Sequence, residues 1–302
     1  MTTFPEVRIG DAVRFQSLTV FPLFAASGGG AEYLLSDEAI KAGVMTIEEV
    51  SEGGSVPTLL VKNLGDARVL FLEGEALQGA KQNRILNTSV LVAAHSETAI
   101  PVSCVEQGRW RYQSQQFSSG KTHSSSKLRH RLKETVSYSL MSGEGFSSDQ
   151  GAVWSEVQRQ MKSLGSASPT GAMSDTYESH SDRLKEYGEA LKYVEGASGL
   201  AVAVGSKVVA LDLFDKPATC QKVWQRLLTG VVMDALEEKD ATTSAETGDV
   251  SGLLNKIRES AWEPAPAVGE GQEFRSASIP ETQGSALVFN DVMLHGSVVV
   301  AG

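Results

Sequence analysis

The residues best suited to chemistry lie in one stretch of the 302-residue chain, RVLFLEGEALQGAKQNRILNTSVLVAAHSETAIPVSCVEQGRW, from Arg68 to Trp110. Glu73 and Glu75 stand two positions apart. On a strand that spacing points both carboxylates to one side. Neighbouring carboxylates raise each other's proton affinity, which suits acid–base work or cation binding. The plainer reading is a solvated strand end before turns at Gly74 and Gly79. Lys81-Gln82-Asn83-Arg84 follows. Its guanidinium offers a planar fork to phosphate or carboxylate, and its two amides can read sugar hydroxyls or a base edge. The alternative is a polar hairpin. Cys104 can serve as a nucleophile if a base or cation lowers its pKa, and is otherwise a buried structural thiol. Glu106 leaves the same strand as a polar candidate, and Arg109-Trp110 supply a guanidinium and an indole able to stack on a ring. Trp110 reads equally well as a core residue. Glu73, Arg84, Glu106 and Arg109 are expected to converge on one concave site, or to neutralise one another as a structural network.

Other chemistries have less support. His95, His123, His130, His180 and His295 form no HxH or HxxxH pattern, and no Cys/His pair has zinc-like spacing. No transition-metal site is expected, although Glu73, Glu75 and Glu106 can share a divalent cation. His295 reads as a hydrogen-bonded histidine within a strand. Gly28-Gly29-Gly30 is not a phosphate-binding fingerprint, and the P-loop, Rossmann and nucleophile-elbow patterns are missing from the sequence.

These residues need strands to hold them. Gln16–Phe24 reads as the first strand, ended by Gly28–Gly30, and Ala31–Leu35 as a short one. Ser36 caps a brief helix through Ala42. Val44–Val50, Thr58–Val61, Val69–Glu73, Ile85–Ala93 and Glu97–Val105 are further strands separated by turn residues. Gln113–Lys127 is serine-rich and nearly free of apolar residues, so an exposed, disordered loop is expected. Lys121, Lys127, Arg129 and Arg131, with His123 and His130, make its end basic, fit to close over an anionic ligand. Leu128/Leu132/Val136/Leu140, Val153/Val157/Met161 and Leu184/Tyr187/Leu191/Val194 have helical spacing. Leu200–Val204 and Lys207–Leu213 form a hairpin through Gly205-Ser206. A long helix starts near Asp215 and Pro217, a polar loop covers Asp240–Asp249, and Ser251 caps a short helix. Phe274–Ile279, Ala286–Phe289 and Met293–Val300 end the chain as strands.

The expected fold is α+β: two β-rich halves packed as a sandwich or bent sheet, with a helical block inserted between them. The parts are residues 1–112 carrying the site, 113–197 as loop and helices, and 198–302 packed on the first. Hydrophobic content of 41% and the lack of any apolar run near the ~18 residues of a membrane span fit a globular chain away from membranes. A net charge of −10 argues against nucleic-acid binding. Two cysteines and no signal-peptide pattern at the start give a cytoplasmic expectation.

The run GEALQGAKQNRILNTSVLVAAHSETAIPVSCVEQGRW, with LDLFDKPATCQKVWQRLLTGVVMDAL later, resembles the ARG and rhodanese-phosphatase-superfamily-associated protein domain. Gln82, Asn83 and Arg84 fall in its Q-N-R element, and Cys104, Glu106, Arg109 and Trp110 in its C-V-E-x-x-R-W element. The resemblance implies handling of ADP-ribose or a related phosphorylated nucleotide, and it brings no catalytic assignment. The expected function is binding of such a small molecule, with its hydrolysis left open. Lys81, Arg84 and Arg109 would hold phosphate, Gln82 and Asn83 would read sugar, and Glu73, Glu75 or Glu106 would activate water directly or through a divalent cation. The alternatives are a non-catalytic protein-interaction module and a cysteine enzyme using Cys104.

Overall fold

The computed structural model describes residues 4–26, 31–238, 243–276 and 279–301. Short strands fill the first part: β1 (Val7–Ile9), β2 (Val13–Phe15), β3 (Leu18–Ala25), β4 (Tyr33–Leu35), then helix α1 (Ser36–Lys41). After it come β5 (Met45–Glu49), β6 (Thr58–Asn63), β7 (Arg68–Phe71), β8 (Glu75–Gly79), β9 (Arg84–Leu86), β10 (Val90–Val92), β11 (Ser96–Cys104) and β12 (Phe117–His123). Helices α2 (Ser126–Met141), α3 (Gln150–Ser163), α4 (Met173–Ser179) and α5 (Ser181–Ala190) follow. The chain then forms β13 (Gly199–Val204), β14 (Lys207–Phe214), α6 (Pro217–Glu237), α7 (Thr247–Glu259), β15 (Glu263–Ala265), β16 (Gln272–Ser276), β17 (Thr282–Phe289) and β18 (Val292–Val300).

One sheet joins the two ends of the chain. Its order is β1-β3-β13-β14-β18-β17-β16-β15, with β2 on β3. Leu18–Leu23 of β3 are buried without alternation, as a strand covered on both faces requires. β13 lies antiparallel to β3, so residues before and after the helices share one sheet. A second sheet has the order β12-β8-β9-β11-β6-β5, and β10-β7-β4 form a third. The fold is α+β, with N- and C-terminal strands in one sheet and the helices between and beside them.

Several local expectations change. Ile85–Ala93 is two strands in different sheets: β9 pairs with β11, and β10 pairs with β7. The break is Asn87-Thr88-Ser89, whose buried side chains bond Phe146 O (2.8 Å), Glu273 (2.6 Å) and His295 (2.8 Å). These polar anchors pull the chain from one sheet to another. The serine-rich segment is not a disordered lid. Its centre is β12, antiparallel to β8, and Ser124–Ser126 are buried. Composition misleads here because the backbone ladder, rather than apolar area, holds the strand. Ser125 rather than an upstream loop caps α2, accepting from Leu128 N at 3.3 Å. The last helix begins at Thr247, which places Ser251 inside it. Gly28–Gly30 and part of Asp240–Asp249 lie outside the described residues, as do residues 277–278 of the strand expected to run to Ile279.

Helix α6 fixes this layout. Pro217 opens it, and Val223, Leu227, Leu228, Val231 and Val232 bury its wide apolar face. At Gly230 the helix touches main chain: an added Cβ would sit 2.2 Å from Ser124 O. Gly230→Ala must therefore shift backbone, and we expect a loss of about 1–3 kcal/mol in chemical denaturation. An unaltered midpoint would contradict this packing.

Candidate functional site

The acidic pair of the opening stretch is split. Gly74 adopts φ +77 between Glu73 and Glu75, and Glu75 N donates to Leu72 O, so the two acids leave a turn in different directions. Glu75 accepts from Ser36 Oγ, from Leu72 N (3.2 Å) and from Arg226 Nη1 (3.3 Å). Glu73 is buried elsewhere, against Lys133 Nζ, Ser285 Oγ (3.0 Å) and Arg129 Nε (3.8 Å). Glu106 has a third set of partners, described below. The three carboxylates therefore do not share a cation site. Among the described residues no group of three or more His, Cys, Asp or Glu is arranged to hold a metal.

Glu73 belongs to a closed ion network. Arg129 grips Asp212 with both terminal nitrogens, at 2.9 and 2.6 Å, and reaches Ser297 Oγ. His295 bridges Asp212 Oδ1 (3.1 Å) and Ser89 Oγ (2.8 Å) and stacks on Phe214 at 4.8 Å. Ser89, His295 and Asp212 are in the order of a nucleophile relay, but all three are buried and Arg129 neutralises the aspartate. His295 is thus a hydrogen-bonded sheet histidine. Burial alone would raise the pKa of Glu73; the charges of Lys133 and Arg129 outweigh it and hold the carboxyl below its usual range. Burial pushes the Lys133 ammonium down to about 8. Arg129, read from sequence as part of a basic loop, is an internal ion-pair partner.

The Q-N-R and C-V-E-x-x-R-W elements meet because β9 and β11 are paired, with Arg84 opposite Cys104. Glu106 Oε1 accepts from Arg109 Nε (2.8 Å) and Thr170 Oγ1 (2.9 Å). Its Oε2 accepts from Arg109 Nη2 (2.6 Å) and Asn83 N (3.1 Å). Burial raises this carboxyl's pKa, but these donors prevail and keep it lowered. Arg109 also donates to the carbonyls of Ala80 (2.6 Å), Arg111 (3.1 Å) and Gly79 (3.3 Å). Gln82 joins the sides, accepting from Arg84 Nη1 (3.1 Å) and donating to Glu106 O (3.0 Å). Arg84 is fully buried, 3.8 Å from Glu49, and burial lowers its pKa. Lys81 Nζ donates to the carbonyls of Glu52 and Gly53 and lies over the rings of Trp110 (5.3 Å) and Tyr112 (5.1 Å). Trp110 is exposed, outside the core.

Three of the four expected residues, Arg84, Glu106 and Arg109, therefore come together; Glu73 belongs to the other network. The expected phosphate cations Lys81, Arg84 and Arg109 are committed to internal partners. Cys104 is buried, and burial raises its thiol pKa above the ordinary value, the reverse of what activates a nucleophile.

What opens to solvent beside this cluster is a polar cleft of about 830 Å³. Gln78, Asn83, Glu106, Gln113, Ser114, Ser118 and Thr122 line it, together with Ser174, Asp175, Tyr177 and Glu178 of α4. Helix α4 is set in place by a bridge between Glu106 and Ala172 and by Met173 N on Val105 O at 2.9 Å. A second cavity of about 360 Å³ shares Glu106 and Gln113 and adds Arg109, Arg111 and Tyr112. Sequence reading missed the α4 wall. Ser174 ends the Ser166–Ser174 separator between two helical runs and Asp175 follows it, and no spacing links them to Asn83, which donates to Ser174 Oγ at 3.2 Å.

A polar cleft at the seam of strands and helices, backed by a buried Gln-Asn-Arg/Glu-Arg cluster, is the candidate site of this α+β fold. The chain belongs to the ARPP-1 family, the ARG and Rhodanese-Phosphatase-superfamily-associated Protein domain, whose model matches residues 6–299. No curated protein and no solved structure matches the chain. Among the described residues no helix is long and apolar enough to cross a membrane.

Two outcomes follow from the geometry. Arg84→Ala leaves Glu49 buried without its cation and should cost about 3 kcal/mol or more in thermal or urea unfolding; an unchanged melting temperature would show Arg84 free for a ligand. The second concerns acid. Burial lowers the pKa of His295 and takes His123 down to about 3. Below the unfolded value of roughly 6.5 the unfolded chain binds protons that the fold refuses, so stability falls as pH falls, by up to about 1.4 kcal/mol per unit and histidine. Urea midpoints from pH 7 to 4.5 should drop, and His123→Gln should make the drop shallower. A flat profile would contradict neutral, buried imidazoles.

Proposed function

We propose that this protein binds a phosphorylated, ribose-bearing small molecule, of nucleotide or ADP-ribose type, in the cleft between β8/β12 and α4. The observation that carries the reading is the lining itself: amides of Gln78, Asn83 and Gln113 and hydroxyls of Ser114, Ser118 and Ser174 face one volume. Such groups read vicinal hydroxyls by donating and accepting at once. Membership in a family named for its association with ARG and rhodanese-phosphatase-superfamily proteins is compatible with this as an association only.

The phosphate falls to Arg111. It is exposed, lines the adjoining cavity and has no ion pair among the described residues. Lys121 is a poorer candidate, because Ser118, Gly120 and Thr122 line the cleft and Lys121 does not. Glu106 acts as a fixed anion that orients Asn83 and Arg109, since four donors already occupy its oxygens. Water activation in a hydrolytic reaction would belong to Asp175 or Glu178, which line the cleft. The serine-rich segment is strand β12, and burial raises the Cys104 thiol pKa, so the interaction-module and Cys104-enzyme alternatives have less support than the cleft.

Thermal-shift titration with ribose 5-phosphate and with ADP-ribose tests the reading. A ligand at ~100 times its dissociation constant should add roughly 2.7 kcal/mol of stability, and Ser174→Ala or Gln113→Ala should weaken binding several-fold. No shift at millimolar ligand, or equal shifts in wild type and both variants, would overturn it.

A further inference from the structure

The cleft and the smaller cavity share Glu106 and Gln113 in their linings, and Tyr112 lines the smaller one. Tyr112 is 44% exposed and Trp110 47%, an uncommon surface position for two large aromatic side chains two residues apart. Their inner sides are fixed. Lys81 lies over both rings, and its ammonium is itself anchored on the carbonyls of Glu52 and Gly53. Arg84 approaches the Trp110 ring at 5.8 Å. The cations thus anchor the rings while aromatic surface remains open to water. Rigid aromatic faces beside a polar, sugar-sized cleft suit a flat ring at the end of a polyol, because every heterocyclic base has a π-face that stacks independently of its hydrogen-bonding edge.

We propose that Tyr112, held by Lys81 and flanked by Arg111, is the base-stacking subsite of the cleft, so that the ligand class is a purine or pyrimidine nucleotide rather than a bare sugar phosphate. This rests on the ribose-phosphate reading of the cleft and adds the third part of the ligand. The base lies on the Tyr112 ring, the ribose extends past Gln113 and Glu106 toward Asn83, and Arg111 meets the phosphate. Lys81 is a positioning residue here: it touches the rings and not the ligand.

The test is the ratio of two affinities measured by calorimetry on the full chain, for adenosine 5′-monophosphate and for ribose 5-phosphate. The wild type should bind the nucleotide roughly ten-fold or more tighter, as one base–aromatic stack provides. Tyr112→Ala should bring the ratio close to one, while Tyr112→Phe, which keeps the ring, should preserve it. Lys81→Met should reduce the ratio by loosening the platform. If ribose 5-phosphate binds and the wild-type ratio is already near one, or Tyr112→Ala leaves the ratio intact, the base subsite is wrong while the cleft reading stands. If neither probe binds, both are overturned.

Discussion

The interaction on which the rest of this structure depends is the buried contact between Glu73 and Lys133, extended by Arg129 to Asp212 and His295. Charges removed from water are costly unless each finds a partner and its remaining hydrogen bonds are met. Here the partners come from three separate parts of the chain: a turn after β7, the inner face of α2, and the strands β14, β17 and β18. None of these can be displaced without stranding a charge. The network therefore ties the N-terminal strands, the first long helix and the C-terminal sheet into one arrangement.

That constraint also separates structure from function. The most reactive-looking residues of the chain, the glutamates, the arginines and the cysteine of the Arg68–Trp110 stretch, are for the most part closed inside. They shape a wall. The Glu106–Arg109 pair sits at the boundary: Glu106 lines the cleft and Arg109 the smaller cavity, while each neutralises the other. Groups that meet solvent in the cleft are softer: amides, hydroxyls and two acids of α4. The ligand proposed for this cleft would be selected by hydrogen-bond geometry and shape more than by charge, in keeping with a molecule whose net charge is −10.

The legible part of the sequence was the part governed by periodicity. The apolar stripes of α2, α3 and α6, the β13–β14 hairpin and the terminal strands follow from side-chain spacing alone, and so does the α+β class. Two kinds of information were hidden. Asn87-Thr88-Ser89 ends one strand and begins another through side-chain bonds to residues 59 to 206 positions away, and no local pattern encodes such partners. β12 was masked by serine-rich composition, because a backbone ladder needs no apolar residues. The site was half legible for the same reason. Pairing of β9 with β11 makes the Q-N-R and C-V-E-x-x-R-W elements neighbours, whereas the α4 wall reaches them only through tertiary packing. Arg129 and Lys133 carried one faint signal: they are four apart on a helix, beside Leu128, Leu132 and Val136, so they lie at the edge of its buried stripe.

The most direct test of the account is a double-mutant cycle on Glu73 and Lys133 read by urea unfolding. Glu73→Gln and Lys133→Met should each cost about 3 kcal/mol or more, because each deprives a buried charge of its nearest partner. The double variant should lose clearly less than the sum, with a coupling of a kcal/mol or more, since it removes both charges together. Additive losses, or single variants as stable as the wild type, would contradict the claim that this buried pair holds the fold together.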